Sequence, residues 1–257
     1  MKHLNKNIAL LILSVFLITS CKSKKDMWYF QDLKDNQQTQ LNFEAAKIQH
    51  NDILTIQLSA LNPESIIPYK FDNSISTNSS FIETLKLQGY LVDSDGTISY
   101  PILGRIKVAG KSPIELEAHI KKLLEDGGHV KNPSVSVRIL NSKVTILGEV
   151  AKPGTYTITE QNLTLPQALG YAGDLTIHAE RKKVMVIRDV DGVQTVKHID
   201  MTTSDWFTSP FYYIKQNDVI VVSANNARVK SAGLIGTTGT VMGIISVVLT
   251  TIVIITR

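Results

Sequence analysis

Residues Gly89 to Ser112 read GYLVDSDGTISYPILGRIKVAGKS, and the fold of the chain turns on how this run is parsed. Val92 leads into Asp93-Ser94-Asp95-Gly96, a polar tip where Gly96 can take positive φ and the aspartates can bond nearby backbone, so the chain reverses there as a hairpin. Alternation resumes through Thr97, Ile98, Ser99 and Tyr100, breaks at Pro101, restarts as Ile102-Leu103 and turns again at Gly104 and Gly110. Ser112-Pro113-Ile114-Glu115 then supplies a hydroxyl N-cap, a proline at the first helical position and a glutamate three residues after the cap. This capping box starts a helix.

Downstream, Leu116, Ile120, Leu123 and Leu124 recur at helical spacing, a stripe suited to covering a sheet, and Gly127-Gly128 ends the helix. Two strands, Ser134 to Leu140 and Lys143 to Leu147, flank Asn141-Ser142, with Val135, Val137 and Ile139 pointing inward. Upstream, Ile48 to Leu58 passes through an Asn-Asp turn into an alternating strand, and the same Ile-x-x-Asn-Asp-aliphatic pattern returns from Ile214 to Val222. The repetition predicts two related structural units. Asp52 and Asp218 read as turn residues capping backbone amides, not as catalytic acids. Phe71 to Ser80, rich in Ser and Asn, reads as a surface loop.

The spacing of Gly89, Asp95, Gly96, Ile98, Pro101, Gly104, Val108 and Gly110 resembles the signature of the bacterial polysaccharide export family, the Wza-like outer-membrane auxiliary lipoproteins. Where that family usually has glycine before the aspartate of its Pro-Gly-Asp turn, this chain has Asn51 and Asn217, and asparagine tolerates the same left-handed backbone. A second run, from Gly148-Glu149-Val150-Ala151-Lys152-Pro153-Gly154 through Leu163 to Leu169, Ala172-Gly173 and Val184 to Arg188, resembles an SLBB module, a β-grasp-type soluble-ligand-binding domain. Local chemistry agrees: Thr164 with Gln167 makes a capping box, Gly173 stands where a C-cap is wanted, and Asp191-Gly192 is a hairpin turn. The resemblance implies an α+β chain with a periplasmic export domain over 43–141, a β-grasp-like SLBB domain over 142–228 and a C-terminal transmembrane helix. The module shows no pocket chemistry, so its expected task is packing on neighbours.

Both ends carry membrane signals. A basic start (Lys2, His3, Lys6) precedes an apolar core from Ile8 to Leu17, and Ile18-Thr19-Ser20-Cys21 resembles a bacterial lipobox. Residues 1–20 therefore read as a signal peptide, Cys21 as the lipidation site and 21–42 as a polar tether. Met27-Trp28-Tyr29-Phe30 interrupts that tether and is expected to pack on the first domain or lie at the lipid interface. Ser231 to Thr256 has no charged residue and as a helix would reach roughly 39 Å, against about 30 Å of hydrocarbon. It is expected to span the membrane. Ala232, Gly236, Gly239, Gly243, Ser246 and Thr250 mark one small-residue face, either a seam between helices of an oligomer or the wall of a lumen; an isolated anchor is the plainer alternative.

The chain has 257 residues, 43% of them hydrophobic and 19% charged, enough for one or two modest cores. Two of its 27 basic residues, Lys2 and Lys6, lie in the segment expected to be removed; the rest nearly balance 23 acidic ones, which gives no electrostatic case for nucleic acid. Its 6 histidines are scattered without ligand spacing, so no metal site or cofactor is expected. No catalytic residues are named: the acidic side chains fall at turns and helix starts, and no nucleophile or phosphate-binding motif appears. Gly89, Asp95, Gly96, Pro101, Gly104, Gly110, Gly148, Pro153 and Gly154 are taken as structural signature positions. The resemblance implies an outer-membrane lipoprotein with a periplasmic body. Copies of it would form a ring, a conduit for capsular polysaccharide or exopolysaccharide, worked with an inner-membrane polysaccharide co-polymerase. The rival reading is a lipoprotein adaptor that binds glycan or a partner through its SLBB domain without forming a channel.

Overall fold

Strand β1 (Ile53–Ser59) is the middle of the first sheet because its alternation buries Leu54 and Leu58 on one face. The computed structural model describes residues 24–69, 88–190, 192–231 and 238–256. β2 (Tyr90–Leu91) and β5 (Ser134–Ile139) flank β1, both antiparallel. Between them in sequence, β3 (Thr97–Tyr100) and β4 (Gly104–Lys107) form a separate hairpin. Helix α1 (Pro113–Asp126) packs against β5. Its capping box is formed: Ser112 Oγ accepts from Glu115 N–H at 3.3 Å, and the Glu115 carboxylate accepts from Ser112 N–H at 2.7 Å. Leu116, Ile120 and Leu124 are fully buried, each worth roughly 1.5–3 kcal/mol of apolar transfer. The helix stops at Gly127, with Gly128 at φ +66° carrying the chain away.

The second sheet comprises β6 (Lys143–Gly148), β7 (Gly154–Thr157), β8 (Ala179–Val190), β9 (Val193–Ile199) and β10 (Val219–Ala224), in the order β7-β6-β10-β8-β9. β10 runs parallel to β6, and every other pairing is antiparallel. Helix α2 (Leu165–Tyr171) starts at the Thr164–Gln167 capping box, and Gly173 leaves it at φ +74°. Its Leu165, Ala168 and Leu169 join Val144, Ile146, Val184, Val186 and Ile220 in one core. The α+β class holds.

Four expectations change. Pro101 to Leu103 is a turn, not a resumed strand: Leu103 N–H donates to the Pro101 carbonyl, Ile102 sits at φ +65°, and β4 begins only at Gly104. Proline has no N–H for a ladder, which is why the strand cannot run through it. The tip at Asp93–Gly96 does reverse the chain, with Asp93 N–H on the Thr97 carbonyl, but β2 pairs with β1 while β3 pairs with β4. Phe30 packs on Trp206 and Phe207 of the second domain, not on the first. Finally, the membrane-spanning helix expected over 231–256 is not found among the described residues. Helix α3 (Asn226–Ser231) and helix α4 (Thr238–Thr256) are described, residues 232–237 are not, and among the described residues no helix is long and apolar enough to cross a membrane. The 19 residues of α4 reach about 28 Å. The Phe71–Ser80 loop, Cys21, Ala232, Gly236 and Asp191 lie outside the described residues.

Candidate functional site

The six signature positions of the first domain are all backbone pieces. Gly96 takes φ +75°, and its carbonyl accepts from Val108 and Ala109 N–H, which ties the tip of 93–96 to the exit of β4. A methyl group there would lie 2.7 Å from the Ala109 Cβ. Asp95 accepts from both the backbone N–H and the hydroxyl of Thr97, which holds its carboxyl below the usual aspartate range, and Arg105 bridges it to Asp93 across the exposed surface. Pro101 and Gly104 bracket the β3–β4 turn, with Gly104 at φ +71°. Gly110 N–H donates to the Ile48 carbonyl, and Gly89 passes so close to β1 that a methyl group would meet Ile53 Cγ2 at 2.3 Å. In the second domain, Gly148 at φ +90° faces the Val222 carbonyl, 2.0 Å from where a Cβ would stand, while Pro153 and Gly154 lead into β7. None of these positions assembles into a catalytic constellation.

The two Asn-Asp turns are near copies. Asn51 and Asn217 sit at φ +65° and +63°; Asp52 accepts from Gln49 N–H at 2.7 Å and Asp218 from Lys215 N–H at 2.9 Å. The turns also meet, which no reading of either alone could disclose. Gln216 Nε2 donates to the Asp52 carboxylate at 2.9 Å and to the Lys47 carbonyl at 3.2 Å, Asn217 Nδ2 donates to Gln49 Oε1, and Lys215 Nζ pairs with Glu44 at 2.6 Å. Burial pushes the Asp52 carboxyl above its ordinary value, against the pull of those donors. Asp218 is held from its other side by Arg188, two-pronged at 2.9 and 2.7 Å, with the guanidinium also donating to the Pro210 and Tyr213 carbonyls and resting over the Phe211 ring. Burial raises the Asp218 carboxyl too, and Arg188 offsets this only in part.

Next to this junction, between the sheets, opens a cleft of about 600 Å³. Its lining draws on both domains: Phe43, Ile114, Glu117 and Arg138 from the first, the loop Thr157 to Gln161 and Gln216 from the second. Because it belongs to neither domain, the sequence carries no local pattern for it.

The described N-terminal residues lie on the second domain as a strap. Phe30 N–H and Gln31 N–H donate to the Met201 and Thr202 carbonyls, Asp32 accepts from Ser204, Tyr29 donates to Asp174, and Asp26 pairs with Lys182. Desolvation, and then the bond to Asp174, raise the Tyr29 phenol above its ordinary value. Asp26 and Met27 line the same small cavity as Ile177, Asn225 and Ala227, so the strap and the start of α3 leave the domain side by side. On α4, a methyl group at Gly239 or Gly243 would meet nothing within 4 Å. Thr250 and Thr251 turn their hydroxyls onto the Ser246 and Val247 carbonyls, while Met242, Val247 and Ile254 are exposed. Among the described residues no three His, Cys, Asp or Glu side chains gather as metal ligands.

The first domain matches the polysaccharide biosynthesis/export protein family over residues 42–140, and the second matches the SLBB domain over 142–222. Two proteins named EPS I polysaccharide export outer membrane protein EpsA are similar. The one from Ralstonia solanacearum is 32% identical over 137 residues, covering 51% of this chain and 35% of its own length. The one from Ralstonia nicotianae is 33% identical over 148 residues, covering 55% of this chain and 38% of its own length. The aligned part thus spans little more than a third of these relatives. With one match on each sheet and the signature glycines holding the turns of the first, the chain belongs to the Wza-like polysaccharide biosynthesis/export family.

Proposed function

We propose that this protein is an outer-membrane component of polysaccharide export whose copies assemble around a passage for capsular polysaccharide or exopolysaccharide, working with an inner-membrane co-polymerase. The observation that carries this reading is the ordered match of both domains to export-family sequences, supported by relatives named as outer-membrane export proteins. Geometry adds to it. The strap that follows Cys21 and the helix that leads to α4 emerge together, so an acyl group on Cys21 and the apolar α4 would face the same membrane surface. In this reading α4 serves copy-to-copy contact: Gly239 and Gly243 let helices approach closely, and the hydroxyls of Thr250 and Thr251 are already satisfied within the helix. The same lack of a polar face favours, as a second reading, an anchored adaptor that forms no channel.

Deleting the gene tests the export role, which requires surface polysaccharide to fall while precursor accumulates inside the cell; unchanged surface polysaccharide overturns it. Images of the detergent-extracted protein separate the two readings, rings supporting the passage and solitary particles the adaptor. Lipidation predicts that radiolabelled palmitate enters the parent protein and not Cys21→Ser.

A further inference from the structure

Gln216 is 5% exposed, yet its side chain is only half used: Nε2 serves Asp52 and Lys47, while Oε1 has no hydrogen-bond partner. An unpaired buried acceptor carries a desolvation cost that a bound donor would relieve. This one belongs to a residue that lines the interdomain cleft, whose volume of about 600 Å³ is that of a small-ligand site. Two large apolar side chains are exposed at the same cleft, Phe43 at 51% and Ile114 at 64%. Its carboxylates are engaged, Glu117 by Val137 N–H and Glu160 by the Tyr171 hydroxyl, whereas Arg138 is exposed.

We propose that this cleft binds a short oligosaccharide segment. A sugar ring offers hydroxyls that both donate and accept, together with an apolar C–H face. The cleft offers a donor in Arg138 and apolar surface in Phe43 and Ile114, and Gln216 in its lining carries a buried acceptor short of a donor in Oε1. An inorganic anion would want clustered free cations, and Lys215 is already paired with Glu44. A purely apolar segment would leave Gln216 Oε1 unsatisfied. The inference rests on the export reading for the identity of the sugar, which would be a segment of the exported chain.

The test titrates full-length protein in mild detergent, by calorimetry, with short oligosaccharides from partial acid hydrolysis of the producing cells' surface polysaccharide; inorganic phosphate is the control. Saturable sugar binding is expected, weakened about tenfold by Arg138→Ala and by Phe43→Ala, the loss of one charged hydrogen bond or one apolar contact. Gln216→Leu should abolish it, but that change also strips Asp52 of a donor, so the two rim variants carry the decision. Binding of phosphate alone, or sugar binding unchanged in both rim variants, overturns the site. Rim variants that alter oligomer size while leaving sugar binding intact also overturn it, and assign the cleft to a second copy of the chain. Absence of sugar binding alongside a normal gene-deletion defect defeats this inference while leaving the export role standing; a deletion without that defect defeats the export role itself.

Discussion

At the scale of single residues, the pair Arg188–Asp218 and the lone carboxylate Asp52 make opposite predictions. Arg188→Met removes the ion-pair partner of a fully buried carboxylate, and should cost about 3–5 kcal/mol, read as a lowered urea midpoint. Asp52 lies between neutral donors, and its pKa is raised by burial. A carboxyl that holds its proton more tightly folded than unfolded adds stability below its unfolded pKa of about 3.9 and loses it as pH rises through the native value. Asp52→Asn keeps an oxygen for Gln49 N–H and Gln216 Nε2 but carries no charge. It should therefore melt higher than the parent at pH 7, with the gap closing toward pH 4; a gap that widens on acidification would refute the assignment. Gly148→Ala combines a positive φ with a collision against the Val222 carbonyl, and should cost upwards of about 2 kcal/mol in thermal melts. The turn roles of these residues were legible in the sequence, since Gly, Asn and Asp announce left-handed backbone. Arg188 was not: nothing local in a strand reading Val-Ile-Arg marks its arginine as buried.

At the scale of elements, the helix starts were the most readable features, because a capping box is a local interaction that needs no tertiary context. Ser112→Ala should lower stability by about 1 kcal/mol and speed amide exchange in the first turn of α1, with exchange elsewhere unchanged. The Pro101 to Leu103 turn was misread because apolar side chains were taken as strand formers, while the missing N–H of proline and the left-handed Ile102 governed the backbone. The aromatic strap was assigned to the wrong domain for a different reason. Its ring partners, Trp206 and Phe207, lie 176 and 177 residues downstream, and no spacing rule reaches that far. Phe30→Ala should free the strap, seen as faster tryptic cleavage at Lys34 with the melting of the two cores little changed.

At the scale of the whole molecule, the two sheets could be apportioned from sequence, but not their junction, which depends on two remote turns meeting. The tail shows the limit from the other side: composition alone argued for one long span, and no membrane-spanning helix is found among the described residues. If α4 joins copies through Gly239 and Gly243, Gly243→Ile should shift the detergent-extracted protein to smaller species in sizing experiments, leaving its thermal melt unchanged. One feature of the sheet bears on biogenesis. Among the described residues β10 is the last strand in sequence, and yet it occupies the centre of its sheet, clasped by β6 and β8, while its leading turn grips the first domain. A chain halted before Val219 would hold two unfinished half-sheets with bare edges, so nearly the entire polypeptide must be in place before anything downstream of residue 142 becomes protease-resistant.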